Sequence, residues 1–318
     1  MKRVILLLAY LLATGASRAA GAPPAPLPGT PAVFRHVSLE QGLSQAAVRA
    51  LFQDSQGFLW VATEDGLNRF DGYDFAVFRN DPLDPSSIPD NGQLSFAEGK
   101  GNVLWIGTVD RGLAKLDLST LRFERFLPSP GTPGSLPARQ VAAVLEDRSG
   151  KLWVGTAGGG LLRLATDGAT FEAFRPEPGD PKSFPSAFVL ALAEDPSGAL
   201  WVGTGGQGLL KVDPSDGKVL EQYDRDPANP GVPARAVVAD IHVDRKGRVW
   251  LAGGALARLD PATRELTVFR NDPSDPSSFP ARQARHVAED ASGRIWIATE
   301  AGIVGLDPET GVFTSFRN

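Results

Sequence analysis

The six tryptophans of the chain, Trp60, Trp105, Trp153, Trp201, Trp250 and Trp296, are separated by 45, 48, 48, 49 and 46 residues. A nearly constant period of this length means one supersecondary unit made six times, in which no copy buries its apolar face alone. The chain must therefore stack its units, as a propeller or as a solenoid.

The residues around each Trp choose between the two. Asp54, Asp147, Asp195, Asp244 or Asp290 stands six places before it, and Gly57, Gly150, Gly198, Gly247 or Gly293 three places before it. That spacing predicts a tight hairpin turn with Gly in the left-handed conformation. The second unit has Gly99 and Asn102 at these positions, and Asn is the side chain that best tolerates that conformation. Runs such as Val141–Glu146 and Val189–Glu194, nearly continuous in apolar and small residues, predict a first strand buried on both faces. Leu152–Thr156, Gly160–Leu164 and Thr170–Phe174 predict three more, the last alternating and the wettest. Each unit thus reads as a four-stranded antiparallel blade, and the fold class is all-β, a β-propeller with Trp and Phe filling the space between blades.

Outer strands end at Phe78, Phe126, Phe174, Tyr223, Phe269 and Phe316, and Val33–His36 matches Val77–Asn80 and Val268–Asn271 as a seventh. Propellers close by pairing an N-terminal strand with strands of the last repeat, which removes exposed sheet edges. The count favours a seven-bladed ring whose last blade takes three strands beyond Asn318; a six-bladed ring with a spare strand is the competing closure.

The chain opens with Lys2 and Arg3, an apolar run over 4–13 and small residues around Ser17-Arg-Ala19, the form of a secretory signal peptide over 1–19. The run is too short to span a bilayer comfortably, which favours cleavage over anchoring. A Pro-rich linker over 20–32 precedes the propeller at 33–318. No cysteine is present, which excludes thiol catalysis and cysteine-ligated metal. A net charge of −5 with no cationic cluster argues against a nucleic-acid partner.

The motifs Phe34-Arg-His-Val-Ser38 with Gln41-Gly-Leu-Ser44, Asp54-Ser-Gln-Gly-Phe-Leu-Trp-Val-Ala-Thr63 and Asp65-Gly-Leu-Asn-Arg-Phe-Asp-Gly72 resemble the two-component regulator propeller repeats. Those repeats belong to the periplasmic sensor regions of hybrid histidine kinases and diguanylate cyclases. The linker Asn80-Asp-Pro-Leu-Asp-Pro-Ser-Ser87 recurs as Asn271-Asp-Pro-Ser-Asp-Pro-Ser-Ser278, and the likeness covers essentially all of 33–318. It implies an extracytoplasmic module that binds a small-molecule or oligosaccharide ligand and signals to an output domain. The stalk, membrane helix and signalling domain usual in the family are not among these residues. The resemblance therefore implies a parent protein anchored in the membrane beyond this segment, with dimerisation left open.

Strand parity places the loop between strands two and three on the same side as the approach to strand one, opposite the Asp-x-x-Gly hairpins. From Trp to the apolar end of strand three the six units take 10, 11, 11, 11, 9 and 10 residues, so that face varies where a ligand-reading surface would. Its candidates are Glu64, Asp65, Asp110, Arg111, Gln207 and Glu300 in the loops, with Asn91, Arg139, Gln140, Arg235, Arg282 and Gln283 at the approach to strand one. Carboxylate, guanidinium and amide groups suit a hydroxyl-rich or charged ligand; solvated loop residues are the plain alternative. Ten places before each Trp the chain has Ala50, Ser95, Ala143, Ala191, Asp240 and His286. The last two predict a hydrogen-bonded pair between adjacent blades or a pair of ligand contacts lining the channel.

The paired aspartates of the linkers lack the spacing of a calcium loop and read as turn initiators before Pro; neither metal nor cofactor is expected. The three histidines, His36, His242 and His286, fall in unrelated strand positions, and no nucleophile elbow, zinc signature or dinucleotide fingerprint is present. A non-catalytic sensor is thus favoured over an exported propeller enzyme acting on glycans and over a non-catalytic scaffold.

Overall fold

A computed structural model describes residues 37–180, 183–223 and 237–316. The leader and linker expected over 1–32, the strand expected at 33–36, and Arg235 lie outside the described residues. The described residues form twenty-four strands in antiparallel blades of four. Blade 1 holds β1 (Val48–Gln53), β2 (Leu59–Thr63), β3 (Gly66–Phe70) and β4 (Phe75–Phe78). Blade 2 holds β5 (Gln93–Gly99), β6 (Val103–Thr108), β7 (Leu113–Asp117) and β8 (Arg122–Phe126). Blade 3 holds β9 (Val141–Glu146), β10 (Leu152–Thr156), β11 (Gly160–Leu164) and β12 (Phe171–Phe174). Blade 4 holds β13 (Val189–Glu194), β14 (Leu200–Thr204), β15 (Leu209–Val212) and β16 (Val219–Tyr223). Blade 5 holds β17 (Val238–Val243), β18 (Val249–Gly253), β19 (Leu256–Asp260) and β20 (Glu265–Phe269). Blade 6 holds β21 (Ala284–Glu289), β22 (Ile295–Thr299), β23 (Gly302–Leu306) and β24 (Phe313–Phe316). A single bridge from Gly253 to Ala284 joins the last two blades along their inner edge.

The turn chemistry is as the spacing predicts. Gly57, Gly150, Gly198, Gly247 and Gly293 all have φ between 79° and 93°, and Asn102 takes φ 64° in their place. The aspartate at the head of each hairpin does more than start the turn. Asp147 Oδ1 accepts the Lys151 amide at 3.0 Å while its Oδ2 accepts the Trp153 indole N–H at 2.9 Å. Asp54, Asp195, Asp244 and Asp290 hold Trp60, Trp201, Trp250 and Trp296 in the same way. The fixed spacing of six residues is thus the reach from a turn carboxylate to a buried indole, which cannot be left without an acceptor.

Each indole stands between an outer-strand aromatic and a cation. Trp153 lies 5.9 Å from the Phe174 ring and under the Arg163 guanidinium, its direct cross-strand partner. In blade 6 that partner is Gly305, and Arg294 from the preceding turn occupies the space, its Cδ 3.2 Å from where a Cβ on Gly305 would stand.

The core lies between blades. Trp60, Trp105, Trp153, Trp201 and Trp250 each pack on apolar residues of the blade that follows. Gly155 and Gly203 allow that approach, since a Cβ there would come within 2.6 Å of Val189 and 2.8 Å of Val238. Trp296 and Ile303 face the side of blade 6 that no described blade covers, and they are only partly buried.

One expectation is corrected. The first strand is not the driest of the blade: β9 and β13 hold no exposed residue but are buried at only some positions, β1 and β21 of the end blades expose residues, and β10 and β14 are buried throughout. The second strand is the true core because it has a blade on each side and a strand on each edge, whereas the first has one edge toward the central axis. Each inner strand also shifts register near its start, as between Val141 and Ala143 or Val238 and Asp240. Such a bulge increases local twist.

Candidate functional site

The loop face is built from the hairpins between second and third strands and the segments entering each first strand. A buried threonine closes most of these hairpins: Thr108 Oγ1 donates to Gly112 O at 2.8 Å and accepts the Arg111 amide at 3.0 Å. Thr156 and Thr204 repeat the device. The turns are thereby rigid, and their side chains project from a fixed base.

The predicted residues gather in three groups. In blade 1, Glu64 pairs with Arg49 at 2.8 Å and Asp65 with Arg79 at 3.2 Å. Asn91 accepts the Asn80 amide through Oδ1 at 2.7 Å, and its carbonyl takes the Gly66 amide, so it ties the linker to this turn. Between blades 2 and 3, Arg139 reaches Asp110 at 3.4 Å, with Arg111 and Gln140 exposed beside them. In blade 6, Glu300 accepts the amides of Arg282 at 2.8 Å and Gln283 at 3.2 Å. Burial raises the Glu300 carboxyl, but the amides of Arg282, Glu300 and Gln283 together with Arg285 outweigh it and hold it below its ordinary value. Gln207 stands apart in blade 4, its amide on Thr204 and its carbonyl accepting Gln222 Nε2 at 3.3 Å.

Asp240 and His286 meet as the column spacing predicts. Asp240 Oδ2 accepts the Val287 amide at 2.8 Å and lies 3.5 Å from His286 Nδ1. That contact raises the imidazole above its ordinary value, against burial and the nearby Arg285. The reading that the histidines occupy unrelated positions is corrected for two of them. His242 and His286 belong to adjacent inner strands and face one seam, where His242 Nε2 is 3.8 Å from Glu289. Burial holds His242 below its ordinary value despite Glu289, Asp240 and Asp244. His36 lies outside the described residues.

Sequence reasoning missed Arg49 and Arg79, which neutralise two of the chosen carboxylates, and the character of blades 3 to 5. There the turns are Gly158–Gly159–Gly160, Gly205–Gly206 and Gly253–Gly254, with Phe188 and Val237 about half exposed at 52% and 48%. The turns of blades 1, 2 and 6 are therefore charged, and those of blades 3, 4 and 5 are glycine-rich with exposed apolar neighbours. The signal was present in the sequence, as glycine where the other units carry charge. The linker aspartates make turns, with Asp272 accepting from Ser274 and Asp275 from Ser277.

Three segments, 42–65, 135–158 and 183–206, match the family described as two component regulator propeller. Each runs from the approach of an inner strand through the Asp-x-x-Gly hairpin to the turn after the second strand. A stretch of 56 residues, 18% of this chain, is 50% identical to histidine kinase P4 of Formosa agariphila, and covers 4% of that protein. The extracellular domain assigned to a hybrid two component system of B. thetaiotaomicron superposes with a TM-score of 0.72 at 26% identity, over 89% of this chain and 36% of that one. A second extracellular domain from B. thetaiotaomicron, assigned to a one component system, gives 0.57 at 20% identity over 81% and 38%, and shares the fold. The chain thus spans little more than a third of these two solved domains. It is a β-propeller, three segments of which match the two component regulator propeller family.

Proposed function

We propose that this chain is the extracytoplasmic, ligand-sensing propeller of a bacterial signal-transduction protein, with a histidine kinase or diguanylate cyclase as output, and that it binds its ligand on the loop face. The observation that carries this reading is the superposition over 89% of the chain on an extracellular domain assigned to a two component system. The divided rim supports the choice of face. A hydroxyl-rich or acidic ligand finds paired cations and carboxylates at the turns of blades 1 and 2, and open glycine turns beside Phe188 at blades 3 and 4. Recognition rather than turnover is the role assigned to the Asp240–His286 pair, because Asp240 is already committed to the Val287 amide. The parent protein is read as membrane-anchored and able to dimerise, with output outside these residues.

The test is a binding screen of neutral and acidic oligosaccharides against the purified chain, by thermal shift and then calorimetry. A hit should weaken about tenfold, roughly 1.4 kcal/mol, in Arg111→Ala, Gln140→Ala or Arg282→Ala, and should be recovered unmodified. Hits that bind these variants as tightly as wild type would refute the face; hits that are consumed would refute the sensor reading.

A further inference from the structure

Adjacent blades are latched at the hairpin side by one repeated device. The residue after the hairpin aspartate, or after Gly99 in its place, donates its amide to a glutamate at the end of the next inner strand. Ser55 donates to Glu98 at 2.8 Å, Lys100 to Glu146 at 2.8 Å, Arg148 to Glu194 at 2.9 Å and Arg245 to Glu289 at 3.1 Å. A second tie runs turn to turn: Gln56 to Asn102, Lys100 Nζ to the Arg148 carbonyl, Arg148 to the Pro196 carbonyl and Arg245 to the Ala291 carbonyl.

The seam between blades 4 and 5 has neither. The donor position is Pro196, which has no amide hydrogen, and the acceptor position is Val243. Both halves of the latch are missing together, so no donor or acceptor is left orphaned. The turns still touch, with Pro196 Cγ 4.0 Å from where a Cβ on Gly247 would stand, but among the described residues they exchange no hydrogen bond. Among the described residues, these blades are joined by the apolar cluster of Trp201, Leu209, Val238, Ile241 and Val249, the Arg264–Glu221 pair at 3.2 Å at the outer edge, and a bridge from Gly205 to Val237 on the loop side.

We propose that the seam between blades 4 and 5 is the joint at which the propeller flexes, pivoting on the Gly205–Val237 bridge and opening between the hairpins of Asp195 and Asp244. Apolar contacts are non-directional and tolerate sliding, whereas a charge-assisted hydrogen bond fixes both distance and angle. A seam without such bonds on its hairpin side therefore samples a wider range of separations there than seams that have them. The inference stands apart from the identity of any ligand.

The absence of cysteine makes the test direct. Spin labels on the pairs Ser149→Cys with Ser197→Cys, Ser197→Cys with Lys246→Cys, and Lys246→Cys with Ser292→Cys report three successive seams by double electron–electron resonance on the full chain. The middle pair should give a distance distribution about twice as broad as the other two. Pro196→Ser combined with Val243→Glu should narrow it to their width, and Glu194→Val should broaden the first pair. Equal widths at all three seams overturn the proposal without any further variant, and so does a middle distribution that the restoring pair of substitutions leaves unchanged in a folded protein.

Discussion

The indole of Trp105 donates its N–H to Glu146 of the next blade at 3.0 Å, whereas the five other tryptophans donate to the aspartate six residues before them in their own blade. The aspartate position of blade 2 is Gly99, and a Cβ there would lie 2.2 Å from Glu146 Oε2 and 2.8 Å from Trp105 Nε1. The loss of one carboxylate is thus made good by another from a neighbouring unit, entering space that only glycine leaves open.

This substitution loads two duties on Glu146, which also accepts the Lys100 amide. Glu146→Ala should cost about 1–3 kcal/mol, since a part-buried indole donor loses its partner, against about 0.5–1.5 for Glu194→Ala, whose neighbour Trp153 keeps Asp147. Guanidinium denaturation midpoints check the order, and a larger loss at Glu194 would contradict it.

Truncating Trp153, buried between blades 3 and 4, should remove about 3–5 kcal/mol. In this chain Trp296→Ala should cost clearly less, because its ring is only partly covered and its loss leaves a smaller cavity. Equal costs by urea denaturation would mean that the exposed side of blade 6 is covered in solution.

The two histidines of the seam between blades 5 and 6 should pull in opposite directions with pH. His286 is raised by its contact with Asp240, so the stability it adds is complete below 6.5 and lost as pH rises through its folded value. His242 is lowered chiefly by burial, so its contribution is present above 6.5 and lost as pH falls through its folded value. The seam is then most stable near pH 6.5, the ordinary histidine value. Proton NMR should find the two imidazoles titrating on opposite sides of that value. In His286→Asn the loss of stability on going alkaline should vanish while the loss on going acid remains.

The blade pattern was legible because its cause is local. The strands expected at 141–146, 152–156, 160–164 and 189–194 are β9, β10, β11 and β13, since a turn glycine and an alternating run act within a few residues of themselves. The burial of the inner strand was misjudged because composition does not reveal which edge of a sheet faces an axis. The rim residues were placed by parity alone, which gives a side and not a partner: Arg49 and Arg79 were invisible as the counter-ions of Glu64 and Asp65.

By itself the sequence determined the repeat, marked by its tryptophans, and the turn conformations, which are set within a few residues of chain. Only the tertiary structure decided which groups from different blades meet: Glu146 with Trp105, Asp240 with His286, and Pro196 opposite Val243 with no bond to make. Those pairings span more than forty residues of chain, and a contact at that separation is fixed by how blades are rotated about a common axis, a quantity no local pattern of residues encodes.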